Sequence, residues 1–396
     1  MLNRRSLRIK AMQTVYAFEQ CKQSDYHLAI ESIKNSFAPD LNSLEVQDKE
    51  LLEKKKQMAI GLFTECFKEE IIPAKEDTSE DIRKAVKEAI SFYHQQVDKD
   101  LNYFKKFMVA EAENLSNNYL MLLLLLVELS DMVKAEDDEK KNSWARKINP
   151  TYSSELNFYR NRLINALRNS NELKLYATKR NLNWSDDREV VKEWYKEILK
   201  HDETYKAYKV SAETTFEQDK DIVLYLIKKV IFKHELFVSF LEEKDLSWAE
   251  DKAALRSMLT KTIKGIEEEQ EESGEIELTK LSMNWEEDKE FFKDLFNFTI
   301  QNDQEYGKTI AELSRNWDME RLASLDRILL KMALTEMINF PSIPVKVTIN
   351  EYIELSKMYS TPKSKHFVNG ILDVVAEKLV AEGVIRKSGR GLIDNK

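Results

Sequence analysis

Residues able to do covalent chemistry are few and far apart in this chain. Five histidines (His27, His94, His201, His234 and His366) are scattered along 396 residues, none with a second ligand at metal spacing. Cys21 and Cys66 lie in no recognisable partner motif, and no serine sits in a nucleophile elbow. Gly389 and Gly391 have no strand before them, so they do not make a phosphate-cradling loop. Acidic pairs abound, but in a chain this rich in glutamate they read as helix faces. No catalytic residue, metal or cofactor is expected, and the chain reads as a non-enzyme. The residue types offer recognition instead. Arg4, Arg5, Arg8 and Lys10 crowd a helix-spaced stretch whose other face is Leu7, Ala11, Thr14, Val15 and Phe18. That spacing fits an amphipathic helix with a solvated charged side. It also fits a phosphate-binding edge, with Tyr16 available to stack on an unpaired base.

The elements that must position these residues are helical. Eight glycines and six prolines are few for this length, and Leu, Lys, Glu and Ala abound, which predicts a nearly all-α protein. A second helix is expected from about 25 to 38, broken at Pro39–Asn42, and a further one over 44–72, stopped at Pro73. From Ile82 to Met132 the pattern predicts two long helices, bent near Asn117–Asn118. The apolar run Tyr119 to Val127 is too short to span a bilayer and predicts a buried helix. The charged stretch 134–143 predicts a linker, and residues 149–180 a helix. An aromatic, two positions, an acid and a base then recur. Trp184, Phe216 and Trp248 are each 32 residues apart, as are Trp285 and Trp317. An aromatic entering the core beside acids in a first helical turn predicts successive helical units. The acidic run 267–273 before Gly274 predicts a solvated boundary.

The net charge of −9 hides an asymmetry. Residues 1–24 hold five Lys/Arg against one acid and residues 363–396 seven against four, leaving −16 for the 338 between. A polyanion would be attracted only at the two ends. Two cysteines are too few for a disulfide framework, so a reducing, cytoplasmic setting is expected. No apolar run follows the first basic residues as a secretory leader requires.

In the last fifth, Leu322, Leu325, Ile328, Leu329, Met332 and Met337 predict one helix, ended by Pro341 and Pro344. Thr348 and Glu351 predict a capping box, and Ser364 a cap for a last helix lined by Phe367, Ile371, Val375 and Leu379. Gly370 inside that helix predicts a close approach by a backbone or a ligand. The phrases LDRILLKMALTEM, IPVKVTINEYIELSKMY and SKHFVNGILD, with RRSLRIKAMQTVYAFEQ at the start, resemble the bacterial transcription antitermination factor family NusB. The resemblance covers roughly 1–24 and 285–380.

It implies an all-α, NusB-like helical bundle formed by the N-terminal and C-terminal segments, with a large all-helical insertion. The expected division is 1–40 (N-terminal NusB-like helices), 41–180 (helical insertion), 181–282 (repeat-like units) and 283–396 (C-terminal domain with a basic tail). It further implies an RNA-binding antitermination factor acting with NusE, a small-ribosomal-subunit protein. The pair would hold single-stranded boxA-type RNA for a transcribing RNA polymerase complex, notably on ribosomal RNA operons, with no membrane involved. Arg4, Arg5, Arg8, Lys10, Gln13, Tyr16, Lys363, Lys365 and Phe367 carry over as RNA contacts, and Glu320 and Asp326 as NusE-facing acids. Many members have an acid where Lys363 stands, so tighter electrostatic binding is expected there. The alternative is a helical protein–protein scaffold whose acidic middle is the docking surface.

Overall fold

A computed structural model of the chain describes residues 1–40, 47–68, 78–142, 155–313 and 323–393. Among these, every regular element is helical and there is no strand. The helices are α1 (Arg4–Ser36), α2 (Lys49–Cys66), α3 (Glu80–Asn142), α4 (Arg162–Asn169), α5 (Asn171–Arg180), α6 (Arg188–Glu197), α7 (Glu203–Lys209) and α8 (Phe216–Tyr225). They continue with α9 (Glu235–Lys244), α10 (Trp248–Gly265), α11 (Gln270–Ser273), α12 (Trp285–Gln301), α13 (Asp303–Leu313), α14 (Ser324–Asn339), α15 (Val345–Tyr359) and α16 (Ser364–Ala381).

Two predicted breaks are absent. α1 is one helix where two were expected, and α3 runs unbroken through Asn117–Asn118. Neither span contains a glycine or proline, so nothing interrupts the backbone ladder. The two asparagines are satisfied from outside: Asn118 donates to Asp245, and Asn117 accepts from Arg180 at 2.9 Å. The expected linker at 134–143 is helical as far as Asn142. Its charges pair one turn apart, Lys134 with Asp138, Lys140 with Glu136 and Lys141 with Asp137, which supports a helix rather than a coil.

The chain divides into two compact units, Met1–Asn3 with Glu111–Trp285, and Arg4–Ala110 with Glu286–Lys396. In the first unit the apolar run of α3 is buried, as its composition predicted, through Leu120, Leu122, Leu123, Leu125 and Leu126. Tyr119 accepts the backbone N–H of Thr279 at 3.0 Å and lies 2.7 Å from the Thr262 hydroxyl. Phe216, Trp248 and Trp285 are each the first residue of a helix, whereas Trp184 precedes α6 by four positions. Trp317 lies outside the described residues. The acidic run at 267–273 is largely exposed, as expected, but it docks on α4 inside the first unit instead of marking a boundary. Glu268 pairs with Arg162, Glu271 accepts from Asn165, and Gly274 (φ 61°) brings its backbone against that of Asn169. A Cβ at Gly274 would lie 2.4 Å from the Asn169 carbonyl carbon, so the position is closed to any side chain.

The second unit has one core where the C-terminal half of α1 (Ala29, Ile33) meets α2 (Leu62, Phe63) and α3 (Val86, Ala89). Further along, Phe18 of α1 packs edge-on against Phe104 of α3 and Phe296 of α12. Of the predicted stripe, α14 carries Ile328, Leu329, Met332 and Met337 buried and Leu325 half-buried, Leu322 lies outside the described residues, and the helix ends before Pro341. The expected capping box is not formed. α15 starts four residues earlier, at Val345, with Pro344 (φ −61°, ψ 144°) as its N-cap, so Thr348 lies inside the first turn. Ser364 is the first residue of α16 and not its cap. Gly370 is exposed and nothing stands within 4 Å of where its Cβ would be, so no backbone approaches it. The C-terminal stretch folds back: Ser388 N–H donates to Pro341 O at 3.0 Å, and Ile385 and Gly391 are buried.

Candidate nucleic-acid interface

Within the second unit, the first two turns of α1 are tied to the C-terminal helices by three arginines. Arg8 Nε and Nη2 donate to the two carboxylate oxygens of Glu336 on α14, both at 2.7 Å. This is a planar fork-to-fork pair, the geometry that arginine makes and lysine cannot. Both side chains are buried, Arg8 at 4% exposed and Glu336 at 0%. Thr348 of α15 donates to Glu336 at 2.9 Å, and the Tyr352 hydroxyl stands 3.5 Å from it. The carboxylate therefore has partners on α1 and α15, as a buried charge requires. Burial alone would disfavour a charged Arg8, but the Glu336 hydrogen bonds and charge outweigh it and raise the Arg8 pKa. Burial, followed by the negative field of Glu336, pushes the Tyr352 phenol well above its usual range, so it stays a donor.

Arg5 repeats the motif nearer solvent. Its Nε and Nη2 donate to Glu351 of α15 at 2.7 and 2.6 Å. The Arg5 hydrogen bond holds the Glu351 carboxyl below its ordinary value. Arg4 donates to Glu287 at 2.5 Å, faces Asp288 at 3.6 Å and lies 4.8 Å over the Phe291 ring of α12. Lys387, in the folded-back C-terminal stretch, donates to Phe340 O at 3.0 Å and is lowered to about 8 by burial.

The residues expected to touch RNA fall into two groups. Arg4, Arg5 and Tyr16 (40% exposed) reach solvent on α1, and Lys363 and Lys365 do so at the start of α16. Arg8, Lys10 and Phe367 are buried, and Gln13 is half-buried. The main helix contacts of α1 are α2 and α14, and those of α16 are α13, α14 and α15. Asp326 is buried at the start of α14, where it accepts the Ser364 hydroxyl at 2.6 Å and so joins the first turns of α14 and α16. Glu320 lies outside the described residues. Sequence reasoning missed Glu336 and Glu351 as the arginines' partners. The signal was present for Glu336, an acid inside the apolar stripe of α14, since a carboxylate there must be paired.

Among the described residues no group of three or more His, Cys, Asp or Glu could hold a metal, and no helix is long and apolar enough to cross a membrane. The structure thus defines an all-α protein whose basic first helix is clamped by buried and half-buried ion pairs to its C-terminal helices. Residues 252–377 match the model of the NusB family, and the chain carries a NusB-family domain. It is 45% identical over 106 residues to the transcription antitermination protein NusB of Chloroherpeton thalassium (27% of this chain, 50% of that protein). To the proteins of the same name from Salinibacter ruber and Koribacter versatilis it is 42% and 41% identical. Those matches cover 26% and 24% of this chain and 66% of each relative. The chain thus spans about half to two thirds of the length of these curated relatives. A solved structure of T. maritima NusB aligns at 26% identity over 40% of this chain and 91% of that chain, with a TM-score of 0.23.

Proposed function

We propose that this chain is a cytoplasmic RNA-binding transcription antitermination factor that holds single-stranded boxA-type RNA together with NusE, for a transcribing RNA polymerase on ribosomal RNA operons. The observation that supports this reading is a basic, aromatic-bearing helix fixed in place by forked ion pairs, in a chain whose 41–45% identical relatives bear the name antitermination protein NusB. The mechanism is recognition without bond-making. Arg4 and Arg5, half-neutralised by carboxylates, and Lys363 and Lys365 attract phosphates, and Tyr16 offers a face to one base. Beneath that surface Arg8 fixes α1 on Glu336 of α14, and Lys10 and Phe367 are buried in their own helices. Asp326 sets the α14–α16 corner that, with Glu320, NusE would meet.

The test is fluorescence anisotropy of a boxA-type RNA with and without NusE, across a salt series. Four phosphate contacts give a log–log salt slope of roughly −3. Arg4→Ala/Arg5→Ala is expected to flatten the slope by about 1.4, two phosphates' share, with helical content unchanged. An unaltered slope and affinity in that variant would remove α1 from the RNA surface.

A further inference from the structure

Arg4, Arg5 and Arg8 of α1 are engaged by carboxylates, whereas among the described residues Lys106 on α3 in the same unit has none within ion-pair distance. Between Gln95 and Ala110, the positions of α3 that face solvent are Gln95, Asp98, Lys99, Asn102, Tyr103, Lys106, Phe107 and Ala110. At 100° per residue, Lys99, Tyr103, Lys106 and Phe107 share one arc of about 100°, with Asp98 outside it. Asp100 is turned to α1, where it hydrogen-bonds Cys21 and, after burial, is what raises the Asp25 carboxyl. Lys99 lies in the field of Asp25. Among the described residues neither Lys105 nor Lys106 has a carboxylate within ion-pair distance.

The two aromatics are exposed, Tyr103 at 55% and Phe107 at 43%, yet ordered. Their rings stack on each other at 5.4 Å and 16°. Phe104 meets the Tyr103 ring edge-on at 5.4 Å and is itself pinned against Phe18 of α1. Two stacked, exposed rings form one contiguous apolar patch, and such a patch rimmed by polar residues marks an interaction site. Two stacked, exposed rings on the same helix face as Lys99 and Lys106 match a chain of flat bases on a polyanionic backbone. An acidic peptide would use the lysines but not the paired ring planes.

We propose that this face of α3, Lys99, Tyr103, Lys106 and Phe107, is a stacking platform for single-stranded RNA, additional to the α1 surface. It rests on the RNA-binding reading above. The rings take two or three unpaired bases by stacking, without hydrogen-bond readout, so the platform is tolerant of sequence. Lys99 and Lys106 neutralise the adjoining phosphates.

The experiment titrates the full-length chain against a fluorescent single-stranded RNA and the same sequence as a duplex, at several salt concentrations. Tyr103→Ala/Phe107→Ala should weaken single-strand binding at least tenfold, the order expected for lost base stacking, and leave duplex binding unchanged. Tyr103→Trp/Phe107→Trp should retain it. Lys99→Gln/Lys106→Gln should flatten the single-strand salt slope by about 1.4. These positions are on the surface, so melting temperatures should not move. Wild-type binding that is weakened by Arg4→Ala/Arg5→Ala but not by either α3 pair would overturn the platform and leave the α1 reading standing. Loss in the α3 pairs alone would support the platform and remove α1. Wild-type chain that binds no single-stranded RNA sinks both, and a ring variant that loses only a protein partner assigns the face to that partner.

Discussion

Each unit contains a buried carboxylate served by an arginine and a tyrosine, and the two are solved differently. Glu336 is met by Arg8, 328 residues away in sequence, with both side chains out of water. Asp219 is met by Arg162, 57 residues away, whose side chain remains 22% exposed and reaches on to Glu268. Tyr208 donates to Asp219 at 2.7 Å, and Arg162 adds its backbone N–H at 3.2 Å. Burial, reinforced by Asp219, pushes the Tyr208 phenol up, so it too stays a donor. The first arrangement joins distant helices through one guanidinium, and its loss has no substitute. The second is a local net of several donors open to water, and it degrades gradually.

That difference fixes the order of effects. Arg8→Ala leaves Glu336 buried and half-satisfied and is expected to cost about 3–5 kcal/mol, read from urea unfolding. Arg8→Met/Glu336→Met should recover most of it, because two apolar side chains do not strand a charge. Equal loss in the single and double variants would contradict the ion-pair reading. Asp219→Ala is expected to cost less, about 1–3 kcal/mol, since water can reach Arg162 while the Tyr208 hydroxyl is left under-satisfied. An equal or larger loss than for Arg8→Ala would erase the contrast between the units.

The smallest effect sharpens the contrast through pH. Glu136 on α3 loses some of its hydration to burial, but hydrogen bonds from Lys140, Lys200 and Tyr195 outweigh this and lower its pKa to about 2. A carboxyl depressed on folding is protonated first in the unfolded chain, so stability rises with pH through that window. Its contribution is complete above about 4.5 and vanishes as pH falls towards 2. Melting curves of wild type and Glu136→Gln should therefore differ at neutral pH and converge near pH 2. A constant gap over that range would show that Glu136 acts through something other than its charge.

How much of this was legible in the sequence follows the range of the interaction. The buried run of α3 and the stripe of α14 depend on neighbours one turn apart, and composition alone placed them. The breaks predicted in α1 and α3 and the charged linker were wrong because polar residues were read as interruptions. Those residues find partners elsewhere, and only glycine or proline would have stopped the ladder. The capping box at Thr348 failed for a related reason: Thr348 and Glu351 were spoken for by Glu336 and Arg5. The first-helix arginines were visible as charges, but their neutralisation was not, because the carboxylates stand hundreds of residues downstream. Tyr103 and Phe107 lie in a stretch that reads only as helix, and the stacking of their rings is a matter of side-chain geometry that the sequence does not print.

The Arg8–Glu336 pair also sets a schedule for synthesis. Glu336 follows Arg8 out of the ribosome 328 residues later, which at about 5–20 residues per second is an interval on the order of tens of seconds. For that time the first helix has its guanidinium groups but not the carboxylates that will clamp them. Nascent chains are therefore most exposed to stray polyanions before the carboxylates of α14 and α15 appear.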